Sequence, residues 1–171
     1  MGFFDFLKGI KLPAANTPVV TAAEIKQNIL AMNRESAPFQ IREGSDEGVD
    51  IVAEWKIVDA KWYGIFEKAG IKEVFKILMV IDDEKKEVRS VDKSYSVKWN
   101  AGVATLKASA EFFRGQKMEM SGGTAYAFTE EFKPGQVYKY RFNTGEMKKP
   151  LTQTILANGW SLKKVAFSKL K

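Results

Sequence analysis

The run Phe75-Lys76-Ile77-Leu78-Met79-Val80-Ile81 is apolar at six of its seven positions. Consecutive strand residues point to opposite faces of a sheet, so this run reads as a strand covered on both sides and central in its sheet. The charged stretch Asp82-Asp83-Glu84-Lys85-Lys86 ends it and leads into Val88–Val91, with Tyr95, Val97 and Trp99 alternating in the strand beyond. A chain of 171 residues can bury roughly 70% of the surface its unfolded form exposes, enough for one domain with a substantial core. It contains no cysteine, so packing rather than disulfides must hold that core together.

Period-two alternation recurs at Val49, Ile51, Ala53, Trp55 and Ile57, set against Asp50, Val52, Glu54, Lys56 and Val58, and predicts another strand. Asn100-Ala101-Gly102, Ser121-Gly122-Gly123 and Lys133-Pro134-Gly135-Gln136 carry turn chemistry, and successive tight hairpins imply antiparallel pairing. Residues 106–113 fit either a strand or a helix. Thr21 with Glu24 makes a capping box for a first helix bearing Ile25, Ile29, Leu30 and Met32. A second helix is predicted over 60–69, with Asp59 as N-cap, Trp62, Ile65, Phe66 and Ala69 on one face, and Gly70 as its stop. A third falls near 148–158, with Pro150 in its first turn and Gly159 at C′, so that Trp160 folds back on Ile155 or Leu156. Strand residues Leu162–Phe167 follow. These elements predict an α+β fold: a curved, mostly antiparallel meander of about seven to nine strands, open to barrel-like closure, with two or three packed helices. Pro13 and Pro18 mark residues 1–20 as an N-terminal aromatic peptide and linker, leaving 21–171 as a single domain.

The chain also lacks histidine. Without His or Cys it has no thiol nucleophile, no His-assisted serine and almost none of the usual zinc, copper or haem ligands. No P-loop and no dinucleotide-binding glycine fingerprint is present. The carboxylates Asp82, Asp83 and Glu84 read as a solvated hairpin tip offset by Lys85 and Lys86, and Gly44-Ser45-Asp46-Glu47-Gly48 as a surface loop, rather than as cation sites. Acid–base pairs would have to draw on distant residues such as Glu54, Asp59, Glu67 or Glu111. Ser161 and Lys164 lie three apart on a predicted strand, which sends them to opposite faces. No particular catalytic residue, metal site or cofactor is therefore singled out; a non-enzymatic binding domain is expected, with a small-molecule-binding barrel as the alternative and a hydrolase-type enzyme using only carboxylate, Lys, Ser or Tyr groups as the third.

Charge is the strongest partner signal. The formal net charge is +6, and the stretch from Lys139 to Lys171 holds eight basic residues against one acid, Glu146. Lys139, Arg141, Lys148, Lys149, Lys163 and Lys164 are the candidate anion-binding surface. Lys139 and Arg141 alternate with Tyr138, Tyr140 and Phe142, so bases and rings face opposite ways, unlike a nucleic-acid stacking platform. An anionic membrane surface or an acidic protein fits better, with Phe3, Phe4, Phe6 and Leu7 as a candidate apolar anchor. The 12 Phe, 5 Tyr and 4 Trp suit a core, and would equally line a cavity for a small apolar ligand. The opening residues do not form a signal peptide and no run is long enough to span a bilayer, so a cytoplasmic protein, peripheral to the membrane if attached to it, is expected.

The phrases VDIVAEWKIVDAKWYGIF, YKYRFNT and GWSLKKVAF resemble those of a group of small uncharacterised bacterial proteins. That resemblance implies a bacterial intracellular protein and brings no activity with it. Many hairpins followed by a C-terminal helix are also similar in outline to the lipid-interacting barrels of the tubby and scramblase type, although the helix here is short and a strand follows it.

Overall fold

A computed structural model describes residues 10–33, 37, 39–57, 67, 73–113, 125–129, 137–141, 145–166 and 169–170. Seven strands form one mixed, mostly antiparallel open sheet: β1 (Ile10–Lys11), β2 (Phe39–Glu43), β3 (Ile51–Trp55), β4 (Glu73–Asp82), β5 (Glu87–Asn100), β6 (Val103–Phe113) and β9 (Ser161–Lys164). Their order is β1-β9-β5-β4-β3-β2, with β6 also on β5. The strands β7 (Ala125–Thr129) and β8 (Val137–Arg141) form a separate antiparallel ladder. Two helices, α1 (Ala22–Leu30) and α2 (Gly145–Ala157), complete the α+β fold. The sheet does not close into a barrel, contrary to that expectation and to the tubby-like outline, because β1 and β2 end it on opposite sides.

The long strand β5 explains the mixed topology. Antiparallel β4 occupies one of its edges from Glu87 to Ser96. The other edge is shared: β9 pairs in parallel with Glu87–Ser90, and β6 pairs antiparallel with Asp92–Asn100. The β5–β6 turn has positive φ at both Ala101 and Gly102, the conformation that a two-residue type I′ hairpin requires. Residues 106–113 are thereby strand and not helix.

Alternation decides what each face carries. Ile51, Ala53 and Trp55 of β3 and Phe75, Ile77 and Met79 of β4 share a core with Ile25 and Ile29 of α1 and Met147, Leu151 and Ile155 of α2. The residues between them, Val52 and Leu78, join Val91 in a second cluster on the opposite face, capped by Val165 and Leu170. The β4 run is apolar on both faces because both are covered. Among the described residues no helix is long and apolar enough to cross a membrane.

The Thr21 cap forms as its spacing predicts. Thr21 Oγ1 accepts from the Glu24 amide at 3.1 Å, and the Glu24 carboxylate accepts from the Thr21 amide at 2.9 Å. Thr21→Ala is expected to lower stability by about 1 kcal/mol, measured by urea unfolding at unchanged m-value.

Helix α2, predicted near 148–158, differs from expectation at its start. It begins at Gly145, so Pro150 lies inside it rather than in its first turn, leaving the Glu146 carbonyl without an i+4 amide donor. Its end is a Schellman motif. Gly159, at φ 80°, donates to Leu156 O at 3.0 Å and Trp160 donates to Ile155 O at 3.3 Å. Residues 10–20 are attached at both ends of their length: β1 pairs with β9, and Val20 donates to Asn158 O and accepts from Trp160 Nε1 at 2.9 Å. The predicted 60–69 helix lies outside the described residues except for Glu67, which is helical and exposed. The Ser121–Gly123 and Lys133–Gln136 turns lie outside them as well.

Candidate anion-binding site

Between α2 and the helix-covered face of the sheet lies a cavity of about 260 Å³. Ile77 and Met79 of β4, Leu162 of β9, and Leu151 and Ile155 of α2 supply its apolar lining. Parity selects these side chains, since on each strand alternate residues face the helix. Its charged groups are Asp92, Lys11, Lys148, Lys149 and Lys164, with Ser90, Thr152 and Gln153 as neutral polar lining.

Asp92 is the acid among the lining residues and is only 1% exposed. Its Oδ2 accepts from Lys148 Nζ at 2.5 Å, and Lys148 also lies over the Phe75 ring at 5.5 Å from the centroid. The other oxygen, Oδ1, is buried with no hydrogen-bond partner among the described residues. Burial raises the Asp92 pKa above the usual aspartate value, against the opposing pull of Lys148 and Lys164. Burial likewise lowers the pKa of Lys164, with the positive charges of Lys11 and Lys148 adding to the effect and Asp92 opposing it. Lys148 of α2 and Lys164 of β9 thus act on the single carboxylate, Lys11 of β1 acts on Lys164, and basic groups outnumber the acid.

The sequence candidates divide sharply. Lys148, Lys149 and Lys164 line the cavity. Lys163 belongs to the other face, because Leu162 and Lys164 on either side of it point inward. Lys139 and Arg141 are in β8 of the separate ladder, and their side chains lie outside the described residues, as do Phe3, Phe4, Phe6 and Leu7. Two charged site residues escaped the sequence reading. Lys11 falls in the stretch read as linker, and Asp92 stands between Val91 and Lys93 like an ordinary solvent-facing strand acid. Only the parity of β5 against β4, with Asp92 opposite Ile77, turns it inward.

Among the acids weighed for acid–base work or as cation ligands, Glu54, Asp82 and Asp83 are engaged by basic groups. Glu54 accepts from Arg42 Nε at 2.6 Å and Gln40 Nε2 at 3.0 Å, with Lys76 at 3.3 Å. Burial would raise its pKa, but these partners outweigh it and hold Glu54 below the usual range. Asp82 pairs with Arg89 at 2.6 Å, and Asp83 pairs with Lys86. Glu67 is exposed, Glu111 belongs to β6 with its side chain outside the described residues, and Asp59 lies outside them altogether. Ser161 and Lys164 do fall on one strand. The serine opposite Lys164 is instead Ser90, its register partner across β5–β9, and no hydrogen bond between their side chains is formed among the described residues.

Comparison of the chain with protein-family models, curated proteins and solved structures finds no match. A functional reading therefore rests on the residues of the cavity themselves.

Proposed function

We propose that the protein is a binding domain for a small anionic molecule with an apolar body, held in the cavity beneath α2. The observation that carries this reading is that Lys11, Lys148 and Lys164 line, together with Asp92, a largely apolar pocket. A charge surplus in a partly desolvated site favours an anion, while the apolar lining favours a hydrocarbon body. The volume, just under the ~300–1,000 Å³ common for drug-sized sites, sets a small ligand. An anionic partner is then expected in a partly open cavity rather than on a broad basic surface, and a small-molecule pocket at a helix–sheet interface rather than in a barrel interior.

The test compares 4-methylpentanoate with its neutral amide by calorimetric titration. The acid is expected to bind at least tenfold tighter than the amide, with Lys164→Gln and Lys11→Gln removing that preference and Lys163→Gln leaving it intact. Affinity should fall as pH rises through the lowered Lys164 pKa, because a neutral Lys164 no longer attracts the acid. Lys11, Lys148 and Asp92 are the charged groups that face it from β1, α2 and β5. Equal binding of acid and amide overturns the reading in favour of an apolar ligand. Retention on phosphatidylserine vesicles that is lost on Lys163→Gln but not Lys164→Gln overturns it in favour of a membrane surface.

A further inference from the structure

Lys164 lines the cavity, is half-buried, and makes no ion pair or hydrogen bond through its amine among the described residues. Lys148, by contrast, is held by its salt bridge to Asp92. Lys11 of β1, Lys148 of α2 and Asp92 of β5 act on Lys164, and Lys149 of α2 lines the same cavity. Burial is the main reason that the Lys164 pKa is lowered; the charges of Lys11 and Lys148 add to it and Asp92 opposes it. A larger fraction of this amine is thus unprotonated at neutral pH than in a solvated lysine, and an unprotonated amine is a nucleophile toward carbonyl carbon.

We propose that Lys164 captures small oxo acids in this cavity as a reversible imine, the carbonyl carbon bonding to Nζ while Lys11 and Lys148 attract the carboxylate. This rests on the anion-binding reading above and adds a covalent step at the same site. The amine adds its lone pair to the carbonyl carbon, a C–N bond forms, and the π pair of the C=O bond moves to oxygen. That oxygen takes up one proton and the nitrogen gives up one, which leaves a carbinolamine. Departure of the hydroxyl with the second nitrogen proton then releases water and closes the C=N bond. Amine and carbonyl give imine and water, nothing is oxidised or reduced, and water reverses the step. The apolar lining suits the hydrocarbon part of such an acid. A neutral ketone offers the same carbonyl but no charge for Lys11 and Lys148 to attract.

The test incubates the unmodified protein with 2-oxo-4-methylpentanoate or with 4-methyl-2-pentanone, in which a methyl group replaces the carboxylate. Any imine is reduced with sodium borohydride, and the adducts are mapped by peptide mass spectrometry. Labelling of Lys164 is read relative to the exposed Lys85 and Lys98, a ratio that cancels the intrinsic reactivity of each carbonyl. The ratio is expected to be at least tenfold with the oxo acid and severalfold lower with the ketone. An excess of 4-methylpentanoate, which has no carbonyl beyond its acid group, should suppress it. Lys164→Gln should remove the cavity adduct and leave Lys85 and Lys98 labelled, although the unmodified protein decides the matter whether or not this variant folds. Labelling of Lys164 should increase as pH rises through its lowered pKa, the range in which 4-methylpentanoate binding falls. If 4-methylpentanoate binds more tightly than its amide but Lys164 is labelled no more than Lys85 and Lys98, the imine is overturned and the anion site stands. Selective labelling of Lys164 to the same ratio by acid and ketone overturns the oxo-acid assignment and leaves the nucleophile. If 4-methylpentanoate and its amide bind equally and Lys164 is not selectively labelled, both readings are overturned together.

Discussion

Replacing Lys148 by methionine is expected to destabilise the protein by about 3 kcal/mol at neutral pH. Asp92 would keep its burial and lose the partner 2.5 Å away, and methionine fills the same space without the charge. Lys164 still attracts Asp92, which places the loss at the lower end of what a broken buried pair costs. The sign of the pH dependence follows from the direction of the shift. The Asp92 pKa is raised in the folded state, so its contribution to stability is most favourable when it is protonated and is lost as pH rises through the folded pKa. Removing Lys148 raises that pKa further, so the deficit of the variant should shrink as pH falls below it. Urea titrations of the two proteins at several pH values measure this. A double replacement, Lys148→Met with Asp92→Leu, should return stability to within about 1 kcal/mol of the parent, since an apolar pair of similar size can substitute for a buried ionic one. A deficit that stays constant with pH would show that Lys148 acts by packing alone.

Trp160→Ala is expected to cost about 3–5 kcal/mol, close to the whole stability of many domains. Trp160 is fully buried, ends the Schellman motif of α2, donates from Nε1 to Val20 O and lies beneath the Lys86 ammonium, 5.4 Å from its ring centroid. It therefore fastens three parts of the chain at once: the segment before α1, the end of α2 and the β4–β5 turn. Trp160→Phe keeps most of the apolar contact and removes only the indole donor, so it should lose much less. The same unfolding measurement distinguishes them, and similar losses for both variants would assign the role to the hydrogen bond rather than to burial.

What could be read from the sequence follows from how local each signal is. The central strand, the Thr21 cap, the Asn100–Gly102 turn and the Gly159 stop depend on neighbours within a few residues, and each is found where its pattern puts it. In β2 the alternation of Phe39 and Ile41 with Gln40 and Arg42 is too brief to separate from a loop, and β1 has two residues. The parallel β5–β9 pairing was hidden for another reason: hairpin signals describe consecutive strands, whereas this contact crosses α2. The candidate site shows the same division. Lys148, Lys149 and Lys164 stand out as charge excess, but Asp92 gains its importance only from Lys148, far away in sequence, and from the face on which β5 is placed.

The placement of β1 against β9 has a consequence for how the molecule assembles. Ile10 and Lys163 are neighbours in the sheet although roughly 150 residues separate them, and contacts of such long range close late, after the loop between them has been ordered. With two residues in its ladder, β1 is also the element most readily released without disturbing the rest, the kind of opening that hydrogen exchange detects as sub-global. Lys11 is carried on that strand. A bound anion would thus act as a latch: its grip on Lys11 and Lys164 draws β1 and β9 together and slows amide exchange in both, so that occupancy of the pocket is reported at the edge of the sheet.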